Sequence, residues 1–251
     1  MKPARKRSGW LLLTPVGEIL FSYAKRLLDL NDEATAAVCG AGLEGGVRIG
    51  LQEDFGEHLL TETLGRFARS HPRVQIEATV ALNAQLLELV LHGHLDLAPA
   101  WDTGSSTPHS QRIAELPMCW IGRADSPDRP EGEALSLVTF ETPCLMRSAA
   151  LKAMDQAGIS WRVAFTSSSL SGIWAAVSAG LGITVRTRVG LPSQLRVLEG
   201  FPKLPKIGLI LHRAHSKPAP HVRQLETILL DRLNDLLVTQ RSILHTGEVA
   251  E

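Results

Sequence analysis

Four short stretches of the chain carry side chains suited to holding a small molecule. Gln52-Glu53-Asp54-Phe55 sets two carboxylates beside an amide, and Trp101-Asp102 sets an indole beside a third. Residues 143–148 bring Cys144 and Arg147, and residues 166–169 end in three hydroxyls, Ser167, Ser168 and Ser169. A carboxylate accepts from an ammonium or hydroxyl, a guanidinium fork grips a carboxylate, and a serine hydroxyl both donates and accepts. That set suits recognition of a small polar ligand carrying an acid group. For catalysis there is no G-x-S-x-G, H-E-x-x-H or Walker pattern, so no catalytic residue is assigned. His92-Gly93-His94 lacks further ligands nearby, and Cys39, Cys119 and Cys144 form no CxxC, so no metal or other cofactor is expected.

Each stretch follows or precedes an element that fixes its place. Strand patterns at 47–51, 74–79 and 95–98 alternate with helical patterns at 55–70 and 84–92, a βαβαβ order that implies a parallel sheet with helices on both faces. A loop at 102–110 leads to a strand-like run at 113–121. A second series follows: strands at 135–140, 161–165 and 183–186, with helices at 148–157 and 170–179. A strand at 207–212 and an amphipathic helix at 218–237 return to the first lobe. In open α/β lobes ligands sit beyond the carboxyl ends of the strands, where helix N-termini offer free N–H groups, and the four stretches all lie there. Asp54 and Glu57 have the spacing of a capping box, so Asp54 reads as an N-cap, whereas Glu53 is left for a partner. One of the three serines must cap its helix.

Before the lobes, Thr14 can cap a helix with Pro15 at its first position. Val16, Leu20, Tyr23, Leu27, Leu30, Ala34 and Ala37 then recur at alternating spacings of about 4 and 3, the narrow seam of a helix that pairs with another helix. The G-x-G-x-x-G within residues 40–46 follows a helix and precedes a strand, the reverse of a dinucleotide fingerprint. Among the 251 residues, Lys plus Arg and Asp plus Glu both number 26, so any DNA contact must be local. The basic Lys2, Arg5, Lys6 and Arg7 read as a solvated terminus or a phosphate contact. The apolar run at 10–13 is too short for a signal sequence and no stretch spans a bilayer, so the expected location is the cytoplasm, with no membrane partner.

The stretches LTPVGEILFSYAKRLLDL, GGVRIGLQEDFGEHLLTETLGRFARSHPRVQIEATVALNAQLLELVLHGHLDLA and AVSAGLGITVRT, in this order and spacing, resemble the LysR-type transcriptional regulators over nearly the whole chain. The resemblance implies a winged helix-turn-helix for DNA, a dimerising linker helix, and two lobes like those of periplasmic binding proteins with an effector between them. Met1 falls where the wing of that family ends, so DNA is expected as a partner only through a helix-turn-helix missing from this chain. Cys119 and Cys144 are similar in kind to the thiols of peroxide-sensing members, without a resolving partner in sequence.

The expected fold class is therefore α/β, two Rossmann-like lobes preceded by a long linker helix. Residues 1–13 are a basic wing remnant and 14–40 the linker, with Val16, Leu20, Tyr23, Leu27 and Leu30 pairing in a dimer or tetramer. Residues 45–121 and 205–240 form lobe I, and 122–204 form lobe II. Gln52, Glu53, Phe55, Trp101, Asp102, Cys144, Arg147, Ser167, Ser168 and Ser169 are the expected effector contacts. Function is then effector sensing, not enzymatic. A solute-binding protein, a truncated regulator acting through full-length partners, or an enzyme on the same fold are the alternatives.

Overall fold

The computed structural model describes residues 4–7, 10–39, 43–55, 63–125 and 134–246. It opens with a two-stranded antiparallel ribbon, β1 (Ala4–Arg7) and β2 (Trp10–Leu13), in which Arg5 lies across from Leu12. Helix α1 follows at Pro15–Cys39. Thr14 starts it: its Oγ1 accepts from Gly17 N–H at 3.1 Å, satisfying a first-turn donor that has no partner within the helix. At 25 residues α1 is roughly 37 Å long. Along it Val16, Leu20, Tyr23, Leu27 and Leu30 are all exposed, Leu27 to 67%. The helix packs against the short α2 (Gly65–Ser70), yet this apolar row finds no cover among the described residues.

The first sheet orders its strands β4-β3-β5-β12-β6. β3 (Gly45–Leu51), β4 (Val74–Val80) and β5 (Leu97–Trp101) are parallel. The parallel order expected of the βαβαβ run holds for these three strands, and the last two strands depart from it. β12 (Lys206–Arg213) runs antiparallel to β5, and β6 (His109–Pro117) antiparallel to β12, with Pro117 paired to Lys206. Pro99 in β5 has no N–H to give, and the pairing of β3 with β5 is confined to Ile49 and Leu97. α3 (Asn83–Leu91) covers one face through Leu86 and Val90. The other face packs under α6 (Pro220–Thr246), whose Val222, Leu225, Leu229 and Leu233 are buried.

The second sheet combines β9-β8 with β10-β7-β11, joined where Ile183 bridges Leu137. Its strands are β7 (Cys119–Arg123), β8 (Leu135–Phe140), β9 (Trp161–Ser167), β10 (Thr184–Arg186) and β11 (Leu195–Val197). The helices are α4 (Leu145–Gln156) and α5 (Leu170–Ser178). The run read as one strand at 113–121 is two, because the chain leaves the first sheet at Pro117 and enters the second at Cys119. Residues 119–121 thus sit with lobe II, and a division after Ile121 cuts through β7. One apolar core runs through both lobes, from Val47 and Leu229 to Met154 and Ile183.

β12 also buries a histidine. His212 is fully covered, with Nδ1 3.0 Å from Thr107 Oγ1, and desolvation pushes its pKa below the ordinary value, against a weaker pull upward from Asp102. Because the depressed pKa belongs to the folded state, the unfolded chain takes up this proton first as pH falls through about 6.5. His212 stabilises the fold above that value, and its contribution is lost as pH drops toward the depressed pKa. Urea unfolding between pH 7.5 and 5.5 is expected to show stability falling with pH, and a shallower fall in His212→Gln. Equal slopes would exclude His212 as the source.

Candidate functional site

The strand ends of the two sheets meet where Glu53 and Asp54, after β3, reach Leu170 and Arg186, with Trp101 of β5 and Phe140 of β8 packed beside the pair. In the loop after β3, helical backbone begins at Glu53, so Asp54 lies inside the turn and is not its N-cap. Glu57, the other half of the expected capping box, lies outside the described residues. Asp54 instead points across the lobes. Both its carboxylate oxygens accept from Nη2 of Arg186 on β10, and Trp101 Nε1 donates to Oδ2 at 3.3 Å. Both charged side chains are only 6% exposed. Burying them would be costly unpaired, and here each is the other's counter-charge. The Arg186 guanidinium also lies over the Phe140 ring, 4.7 Å from its centre.

Glu53 crosses the same gap. Its Oε2 accepts from the backbone N–H of Leu170, the first residue of α5, so a lobe I carboxylate fills the donor end of a lobe II helix. That helix is also capped from within: Ser169 Oγ accepts from Gly172 N–H at 3.4 Å. Ser169 is thus the capping serine of the three. Ser167 Oγ accepts from Ser169 N–H at 3.1 Å and lies so close to Gly172 that an added Cβ there would sit 2.5 Å from it. Ser168 is exposed.

The remaining expected contacts fall into two groups. Phe55 and Trp101 are 1% and 6% exposed and pack ring against ring at 4.9 Å, which makes them core under the loop, with Phe55 offering no free face. Gln52 is buried and gives Nε2 to Asn83 Oδ1 at 2.8 Å, Asn83 in turn donating to Thr103 Oγ1 at 3.3 Å. Gln52 Oε1 has no partner among the described residues. Asp102 is held by Arg112 and by Gly104 N–H at 3.0 Å. In lobe II, α4 begins at Leu145, three residues before the sequence reading, so Cys144 is its N-cap and Arg147 lies in its first turn. Arg147 is half-buried and donates from Nη1 to Phe140 O at 3.1 Å, leaving other guanidinium hydrogens for a ligand.

Arg186 and Asn83 were not among the sequence candidates. Arg186 had a signal: a charge closing the apolar strand run 183–186, where a sheet buried on both faces leaves no water to solvate it. Asn83 opens a helix after a strand, with nothing in its type to mark it out. Cys119 and Cys144 are free thiols. Cys119 is buried, and its pKa is raised by desolvation, with Arg188 beside it pulling the other way. The side chain of Cys39 lies outside the described residues. Among the described residues no group of three or more His, Cys, Asp or Glu side chains could hold a metal ion, and His92 Nδ1 lies 2.8 Å from Glu88 O in a helix-end contact. No helix among them is long and apolar enough to cross a membrane. Away from the strand ends, a groove of about 460 Å³ lies between β6 and α6, where Arg213 is spent on Glu226 and Gln111.

The model of the LysR substrate binding domain matches residues 40–234. The chain is 35% identical over 197 residues to the HTH-type transcriptional regulator PecT of Dickeya dadantii, covering 77% of this chain and 62% of that one. It is 32% identical over 241 residues to the regulator DgdR of Burkholderia cepacia, covering 91% and 81%. Thus it spans under two thirds of the first relative's length. In fold it is similar to the regulatory domain of CcmR from Synechocystis PCC6803, solved in complex with 2-PG. That likeness has a TM-score of 0.58 at 18% identity and covers 75% of this chain and 97% of that one.

Proposed function

Because the chain belongs to the LysR substrate-binding domain family, we propose that it is the effector-sensing and dimerising portion of a DNA-binding transcriptional regulator, acting in the cytoplasm without enzymatic turnover. The observation that carries this reading is the meeting of strand-end loops from two α/β lobes, with Arg147 and the exposed Ser168 on one lobe and the buried, unpartnered Gln52 Oε1 on the other. The effector is a small polar metabolite with an acid group, received by Arg147 and residues 167–169 on one lobe and by the loops at 52–53 and 101–102 on the other. Cys144 lines that cleft, and Phe55 and Trp101 pack beneath the loop on the other side. Operator recognition falls to the DNA-binding head of the regulator, and the α1 seam carries lobe movement to it.

A thermal-shift screen of small metabolic acids tests the sensing role, since a ligand at a hundred times its dissociation constant stabilises by about 2.7 kcal/mol. With a hit in hand, calorimetry ranks the contacts. Arg147→Ala, which removes a charge-assisted bond worth about 1.5 to 3 kcal/mol, is expected to weaken binding roughly ten- to a hundredfold, and Ser168→Ala less. Wild-type affinity in both variants would remove the site from this cleft. The linker role has its own test. Leu27→Asp sets a charge in the exposed seam, and light scattering is expected to show a smaller assembly than wild type; an unchanged mass would sink the seam as an essential contact.

A further inference from the structure

Two adjacent acids of lobe I each reach a different receptor on lobe II. Glu53 and Asp54 stand about 100° apart on a single helical turn, so their side chains leave in different directions. Asp54 meets the guanidinium of Arg186 in a dry site, tethered from its own lobe by Trp101. Glu53, exposed, meets the N–H of Leu170 at the start of α5. Neither contact closes an element within one lobe. α5 already has a serine cap of its own in Ser169, and Asp54 is not needed to begin its turn. What the contacts accomplish is to tie the strand ends of the first sheet to those of the second.

We propose that Glu53 and Asp54 form an interlobe latch that holds the lobes closed without effector. The pair divides the work. Asp54 with Arg186 is the permanent half, buried and slow to break, because separation would expose two charges to an apolar wall before water reaches them. Glu53 with Leu170 is the exchangeable half: it is solvent-accessible, and its carboxylate occupies a backbone donor that any incoming acid group would also seek. An effector carboxylate therefore competes with a group the chain supplies itself, which sets a threshold for sensing. That purpose rests on the effector-sensing reading, whereas the latch can be tested with no effector present, so latch and sensor fail separately.

The test uses the whole chain with fluorophores at Glu77→Cys on β4 and Arg162→Cys on β9, both exposed positions, with Cys39 and Cys144 changed to Ser and buried Cys119 left in place. Energy transfer between the dyes reads lobe separation, and amide hydrogen exchange at Leu170 reads the latch directly. Glu53→Gln is expected to speed Leu170 exchange roughly tenfold and to lower transfer, because loss of one charge-assisted bond shifts the opening equilibrium by that order. Asp54→Asn, which does not touch Leu170, is expected to do both as well. Faster exchange at Leu170 with unchanged transfer in Glu53→Gln would make the contact an ordinary helix cap and overturn the latch. So would no change in either readout. Glu53 is exposed, so this variant folds and decides the matter even if Asp54→Asn does not.

Discussion

Arg186→Ala is expected to melt roughly 6 to 20 °C below wild type in a calorimetric scan. The substitution leaves the Asp54 carboxylate buried beside Trp101 with its counter-charge gone, a loss of about 3 to 5 kcal/mol. In a domain of this size each kcal/mol moves the midpoint by about 2 to 4 °C. Arg186→Lys falls between, since an ammonium keeps the charge but gives up the planar group stacked on Phe140. The decisive control is the double variant Asp54→Leu with Arg186→Met. Removing both charges together abolishes the stranded group, and a buried pair replaced by apolar residues of similar size costs little or nothing. Recovery of most of the lost midpoint in the double variant is the expected result. A double variant as unstable as Arg186→Ala would mean that the pair matters for its shape rather than its charge.

The second large effect sits where the halves of the lobe II sheet join. Gly182 has φ +157°, and a Cβ there would lie 2.3 Å from the carbonyl oxygen of Ser136. The same carbonyl accepts from Ile183 N–H at 3.0 Å, and Ile183 O accepts from Val138 N–H at 2.8 Å. Gly182→Ala must therefore push β8 off the strand that leads into Arg186, and a backbone carbonyl cannot swing aside as a side chain would. Strain and overpacking together are expected to cost about 3 kcal/mol, or roughly 6 to 12 °C in melting temperature. Gly46→Ala is the control, because nothing lies within 4 Å of the added methyl group, and it is expected to melt at or slightly above wild type. Similar losses in the two variants would show that the close approach at Ser136 is not what demands glycine.

How far the sequence carries depends on whether a signal is local. The heptad row on α1 and the alternation of apolar strands with amphipathic helices are repeats within a few residues, and both name their elements directly. The strand-end loops follow from that order, and so does their facing one another once two lobes are recognised. The switch at Met118 is different. Pro117 and Cys119 belong to separate sheets, but the run between Ile113 and Ile121 keeps one apolar texture, and nothing local says that the hydrogen-bond partners change. The three-residue β11 escapes for the same reason, since its pairing to β7 is entirely non-local. At the site, the capping-box spacing of Asp54 is a local pattern, while its partner Arg186 is 132 residues away. A short polar motif gives way to a long-range charge when the charge arrives on a strand that is otherwise dry.

The return of β12 beside β6 has a consequence for how such a sensor can be rebuilt. Pro117 pairs with Lys206, and just beyond them Met118 N–H donates to Pro205 O at 3.3 Å, Leu198 N–H to Trp120 O at 2.9 Å, and Trp120 Nε1 to Pro202 O at 2.8 Å. The second sheet is therefore a cassette whose two ends are stitched together at one seam. If it were cut out, the remaining stubs would already be neighbouring antiparallel strands, needing only a tight two-residue turn of the Asn-Gly kind to become a hairpin. A different lobe with closely spaced ends fits the same seam if it also supplies a counter-charge for Asp54 and an apolar face for the core the two lobes share. Recombination at this one place can exchange the whole second sheet while keeping the order of strands in the first.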